Sequence, residues 1–246
     1  VTAPRRPLAL ITGASQGIGA ATARLLAPRY DLVLGGRDEK RLEALADELT
    51  EAGPVAVRTM AVELTDDDAL ATALDGIDRL DALVHSAGVG ELGTVQETTA
   101  QTWRHQFDVN VVAVAETTRL LLPALRAAGT DTGADVVLVN SGAGLTARPG
   151  WGSYAASKFA LRAFGEALRA EEAGNGIRVT SVHPGRVDTA MQERVVAQEA
   201  AAAGTADGGY DGSKFLRPES VGAAILAALT ATRDAHLTEI MVRPQG

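Results

Sequence analysis

The chain has 246 residues, 46% of them hydrophobic and 22% charged, with no cysteine and a formal net charge of −8. Such a composition describes a soluble globular protein with room for a sizeable core, and it excludes disulfides, thiolate catalysis and cysteine-built zinc sites. The negative balance, without any Lys/Arg run, argues against a nucleic-acid partner. Aromatic residues make up only 4%, so the core has to be built from Ala, Val, Leu and Ile.

Short apolar runs alternate with longer helix-like stretches. Strands are predicted over 7–12, 30–36, 55–62, 80–88, 134–141, 177–185 and 237–244. Most are continuous apolar runs, the pattern of strands covered on both faces. Helices are predicted over 17–28, 38–52, 66–76, 100–128, 151–174 and 219–231. Alternation of this kind implies an α/β protein. Seven strands fit a doubly wound parallel sheet, a Rossmann fold in a single domain spanning 1–246. The run "AAAGTADGGYDGSKF" (201–215) has little periodicity. It reads as a loop, within a substrate-loop region at about 188–217, and it follows a strand end where open α/β sheets bind ligands. The apolar run near the N-terminus covers only about six residues, short for a signal peptide. No stretch approaches about 18 uninterrupted apolar residues, so no membrane span is expected. A cytoplasmic location is expected.

The segment "TGASQGIG" (12–19) follows the first strand and opens the first helix. Gly13, Gly17 and Gly19 allow backbone to approach a phosphate closely, and the helix N-terminus offers N–H groups to it. The second strand ends in Gly36 and Arg37, where NAD-binding Rossmann proteins carry an acid for the ribose 2′-hydroxyl. Glycine removes that charge, and arginine supplies a fork of donors suited to a 2′-phosphate. NADP(H) is therefore expected, with NAD(H) second. Asp38 is read as the cap of the following helix. Tyr154 and Lys158 stand four apart on one helix face. A nearby cation lowers a phenol's pKa, making Tyr154 a usable general acid or base. Ser141, thirteen residues earlier at a strand end, can hydrogen-bond a carbonyl oxygen. Asn110 interrupts an apolar helix; it either holds a water beside Lys158 or braces the helix.

With TGxxxGIG, the upstream Ser141, the YxxxK pair, Asn110 on the preceding long helix and the turn "HPGRVDTAM" (183–191) in this order, the chain resembles the short-chain dehydrogenase/reductase family over about residues 7–244. The resemblance implies a catalytic tetrad of Asn110, Ser141, Tyr154 and Lys158. It implies cofactor contacts from Gly13, Ser15, Gln16, Gly17, Ile18 and Gly19 at the phosphates, and from Glu63 and Leu64 at the adenine. Ser86, Ala87, Gly88, Tyr154 and Lys158 would meet the nicotinamide ribose; Pro184, Gly185, Val187 and Thr189 would meet its ring. Glu63 stands where the family usually has Asp, and "HSAG" (85–88) where it has NNAG; His85 has no chemical role there. The C-terminus lacks the D-G-G ending of many tetrameric members.

The expected activity is hydride transfer between nicotinamide and a carbonyl or alcohol, as a ketone or aldehyde reductase. The alternatives are an NAD(H)-dependent alcohol or sugar dehydrogenase, or a nucleotide-binding regulator without chemistry. A small-molecule substrate, no membrane partner and a homodimer or homotetramer are expected. Leu92, Leu145 and Trp151 suggest an apolar pocket wall, with Gly90, Glu91, Ala143, Arg148 and 191–215 around it.

Overall fold

In the computed structural model, residues 5–205 and 209–245 are described. Seven strands form one sheet: β1 (Leu8–Thr12), β2 (Asp31–Gly36), β3 (Val57–Ala61), β4 (Ala82–His85), β5 (Ala134–Val139), β6 (Ile177–Pro184) and β7 (Glu239–Val242). Their order is β3-β2-β1-β4-β5-β6-β7, and all neighbours run parallel. The connecting helices are α1 (Gly17–Leu26), α2 (Glu39–Ala52), α3 (Asp67–Leu74), α4 (Ala100–Phe107), α5 (Ala113–Gly129), α6 (Gly152–Glu172), α7 (Ala190–Ala202) and α8 (Pro218–Thr230).

The continuous apolar runs occupy the sheet centre, where helices cover both faces. β4, β5 and β6 are buried along their whole length, whereas the edge strands β3 and β7 are partly exposed. On one face Leu10, Leu83 and Leu138 pack with Leu70, Leu121, Leu125 and Leu161 of α3, α5 and α6. On the other, Ile11, Leu34 and Val84 pack with Leu26, Leu42 and Ile225 of α1, α2 and α8. The largest fully buried side chains are leucines and one isoleucine, as the scarcity of aromatics demands. Each such side chain contributes about 1.5–3 kcal/mol by leaving water.

The chain runs from β1 outward to β3, then crosses to the other side of β1 to form β4. This reversal splays the connections leaving β1 and β4, and a crevice opens at their C-terminal ends. Thr12 and His85 lie side by side there, so the phosphate-loop segment and the "HSAG" segment leave the sheet together.

Two helical segments differ from expectation. The long helix expected over 100–128 contains a π-helical turn at Asp108–Val112 between α4 and α5; such turns often mark functional sites. The loop expected over 201–215 begins as the last residues of α7, a helix the sequence did not suggest. Residues 206–208 of that loop lie outside the described residues, and Gly212–Lys214 form a 3₁₀ turn. Tyr210 ties the region down by donating to Asp188 Oδ1 at 2.6 Å. Among the described residues no helix is long and apolar enough to cross a membrane.

Candidate active site

The phosphate loop is shaped by close backbone approach. Gly13 has φ +67°, and a Cβ there would sit 2.7 Å from the Ala87 backbone. A Cβ on Gly19 would strike the Gly13 carbonyl. Gln16, the N-cap of α1, makes no capping bond with its side chain, so the first-turn N–H groups are free of a side-chain acceptor. A helix start with such donors fits a diphosphate. Ser15, Gln16, Gly17 and Ile18 belong to the same turn, and Ile18 also lines a cleft shared with Tyr154 and Lys158.

At the end of β2, a Cβ on Gly36 would meet Ser15 Oγ at 3.5 Å, so glycine leaves space beside the loop. Arg37 faces Glu63 at 3.3 Å, both largely exposed. Arg41, which the sequence reading passed over, donates to Gln16 Oε1 at 2.8 Å. Two arginines therefore stand beside the phosphate loop. Asp38 caps α2 by accepting from Arg41 N at 3.1 Å, as expected, and Asp66 caps α3. The Leu64 side chain is buried in the core, which leaves only its backbone for a ligand.

The residues after β4 are held by the first strand. Thr12 Oγ1 accepts from the N–H groups of Ser86 and Ala87 at 3.2 Å each. His85 is buried, with Nε2 2.9 Å from Thr118 Oγ1, and burial pushes its pKa down to about 3. It is neutral in the folded protein at physiological pH. An unfolded chain binds a proton on this ring below about pH 6.5 while the native protein does not until about 3. Stability must fall as pH drops through that window. We expect a loss of roughly 1 kcal/mol per pH unit, in which His183 and His236, both also lowered by burial, share. Urea unfolding at pH 4–8 measures it, and a slope unchanged in His85→Gln would remove His85 from the account.

One cleft of about 290 Å³ gathers Ile18, Ser86, Ala87, Gly88, Ser141, Tyr154, Lys158, Pro184, Gly185, Val187 and Thr189. Ser141 opens the turn after β5, and its Oγ accepts from Ala143 N at 3.1 Å. Tyr154 and Lys158 project from α6, and both are buried. Lys158 Nζ donates to the Val139 carbonyl at 3.1 Å and lies 6.0 Å from the centre of the Tyr154 ring. Trp151 packs edge-on against Tyr154, with ring centres 5.9 Å apart.

Opposing influences act on the phenol. Its pKa is raised, because burial disfavours the phenolate; the neighbouring Ser141 hydroxyl opposes that rise. The lysine cation, held on Val139, does not reverse it. Lys158 itself is lowered to about 8 by burial.

Asn110 sits directly behind this cleft, fully buried in the π turn. Its amide donates to Val89 O at 2.9 Å and to Ser157 Oγ at 3.0 Å, and its oxygen accepts from Val89 N at 2.9 Å. Its side chain thus braces the π turn against Val89 and Ser157. Gln106, one turn earlier, does the same with Glu91 and Ser153. Asn140 accepts from Ser141 N at 2.9 Å and donates to Lys158 O at 3.1 Å. These amides lock the three segments carrying the candidate chemistry.

A family model described as short chain dehydrogenase matches residues 7–200. The chain belongs to the short-chain dehydrogenase/reductase family. It is 33% identical over 240 residues to a sulfoacetaldehyde reductase of Chromohalobacter salexigens, covering 95% of this chain and 92% of that protein. It is 34% identical over 251 residues to a glycine betaine reductase of Emericella nidulans, covering 98% of this chain but 19% of that much longer protein. Among solved structures, an alcohol dehydrogenase from Thermococcus sibiricus complexed with 5-hydroxy-NADP aligns with a TM-score of 0.83 at 27% identity, covering 97% of this chain and 96% of that one.

In this short-chain dehydrogenase/reductase, Lys158 should be visible in cofactor binding. Its folded pKa near 8 lies below the ordinary 10.5, so the cation is present below about pH 8 and lost above it. We expect NADPH affinity to weaken as pH rises from 8 to 9. Fluorescence titration of NADPH against pH measures this, and the limb should be absent in Lys158→Met. A limb that persists in the variant would assign it to another group.

Proposed function

We propose that the protein is an NADP(H)-dependent carbonyl reductase acting on an aldehyde or ketone. The observation that carries this reading is geometric: Ser141, Tyr154 and Lys158 line one cleft, with Lys158 Nζ 6.0 Å from the centre of the phenol ring. A protonated phenol in reach of a carbonyl oxygen supplies the proton that reduction requires.

When bound, NADPH supplies a hydride to the carbonyl carbon. Ser141 receives the carbonyl oxygen and orients it toward Tyr154. As negative charge builds on that oxygen, Ser141 donates to it and Tyr154 transfers its proton. The proton from Tyr154 on that oxygen completes the alcohol. Lys158 uses one of its three donors on Val139, so two remain for the ribose hydroxyls. With its charge brought near the phenolate that forms, it also stabilises Tyr154 after transfer. Asn110 acts by positioning, through Val89 and Ser157.

The phosphates belong with residues 13–19, the 2′-phosphate with Arg37 and Arg41, and the adenine with Glu63 and the Leu64 backbone. Ala87 and Gly88 would hold the ribose, and Pro184, Gly185, Val187 and Thr189 the nicotinamide. The homo-oligomer belongs to the same proposal: Val112 and Phe159 expose apolar surface beside α5 and on α6. NADPH oxidation across a panel of aldehydes and ketones, with the alcohol product identified, tests the activity. Tight NADPH binding with no turnover on any of them would favour the nucleotide-binding regulator instead.

A further inference from the structure

The charge of the cleft runs against the charge of the protein. The chain carries 31 acidic and 23 basic residues, yet among the described residues no Asp or Glu lines the cleft, while Arg148, Lys158, Arg186 and Arg243 do. Two of these are spoken for. Lys158 belongs to the reaction, and Arg186 is paired with Glu199 at 2.6 Å. Arg148 and Arg243 make no ion pair and no side-chain hydrogen bond among the described residues. Arg148 lies in the segment between Ser141 and Tyr154, and its carbonyl accepts from Trp151 N at 3.1 Å. Arg148 is exposed and lines the rim of the cleft that Leu145 and Trp151 also line.

A second observation is independent of charge. Gln192, on the first turn of α7, lines the same cleft and is only 7% exposed. Its Nε2 is buried and has no hydrogen-bond partner. A buried donor left unpaired is costly, and a ligand oxygen would remove that penalty. An apolar wall, a free guanidinium at the rim and a buried amide donor make a receptor for an acceptor-rich, negatively charged molecule.

We infer that the substrate is a carbonyl compound bearing a carboxylate or sulfonate, with the anion held by Arg148 and a substrate oxygen accepting from Gln192. The inference rests on the carbonyl-reductase reading of the cleft. An arginine binds both oxyanions through paired N–H donors, so the two chemistries share one site and are separated by assay.

The test compares short ω-carboxy and ω-sulfo aldehydes with the matching ω-amides, which keep the shape and lose the charge. kcat/KM with NADPH should favour the charged members by at least about tenfold, the effect of one charge-assisted contact. That ratio should fall at least about tenfold in Arg148→Met and stay put in Arg119→Met, whose side chain pairs with Glu116 outside the cleft. Gln192→Leu should raise KM for the aldehyde rather than for NADPH. Equal or better reduction of the amides would overturn the inference while leaving the reductase reading intact. Should no member turn over, calorimetry of ω-hydroxy acids against ω-hydroxy amides on the NADPH-saturated protein decides it without chemistry. Preference for the acid sustains anion recognition, and equal binding overturns it.

Discussion

Replacing Tyr154 by phenylalanine should lower kcat for carbonyl reduction by about 10²–10⁴-fold, with NADPH affinity held within about threefold. The substitution removes one oxygen and keeps the ring that packs on Trp151. It also relieves the burial of a polar group, so the melting temperature should hold or rise. The loss should fall on kcat more than on KM, because the proton moves only as the transition state forms. Ser141 would still receive the carbonyl oxygen, which leaves a residual rate. NADPH oxidation by both proteins at equal concentration, alongside thermal melts, measures these quantities. Activity retained within tenfold in the variant would show that another group delivers the proton. The direction of the Tyr154 shift adds a condition on pH. Since burial raises the phenol above its ordinary range, the donor stays loaded across neutral pH. An alkaline loss beginning near pH 8 is expected from Lys158, and its disappearance in Lys158→Met checks the assignment.

The alternation of apolar runs with helical stretches was enough to place seven strands and the doubly wound sheet, because strands covered on both faces must be apolar throughout. Strand ends were less legible: the runs predicted at 55–62, 80–88 and 237–244 shrink to β3, β4 and β7, because an apolar run does not mark where ladder pairing stops. The π turn escaped notice because local spacing does not encode it. What accompanies it is tertiary, with Gln106 and Asn110 clamping the backbone at Glu91 and Val89. A second polar amide four residues before Asn110 on an otherwise amphipathic helix was the signal available. Helix α7 was hidden in an alanine-rich run with little amphipathic contrast. The Tyr154–Lys158 spacing located the pair, but spacing carries no depth. Burial, which sets the direction of the phenol's pKa, depends on Trp151 and the β5 turn closing over α6. Arg41 was overlooked for a related reason. It is one of several charges on the exposed side of α2, and only the folded chain brings it to Gln16.

That second arginine leads to the other large effect. If the pair beside Gly36 receives a 2′-phosphate, Arg37→Ala with Arg41→Ala should reduce the NADPH-over-NADH ratio in kcat/KM by about 100-fold or more, since each charge-assisted hydrogen bond contributes about 1.5–3 kcal/mol. Glu63 stands against this, because it already occupies Arg37 at 3.3 Å. Magnitudes decide the competition. Both partners are largely exposed, with side chains 69% and 45% accessible, and such pairs are worth about 0–1 kcal/mol. A phosphate carrying close to two charges and accepting from two guanidinium groups should displace the carboxylate. Glu63→Gln, by releasing Arg37, should then raise the NADPH preference several-fold, and added salt should narrow the difference because the site is open to solvent. Initial rates with both cofactors at low and high ionic strength measure all three effects. A native preference for NADH would turn the argument round: Glu63 would then hold Arg37 away from the ribose, and the reading of an NAD(H)-dependent dehydrogenase would take precedence.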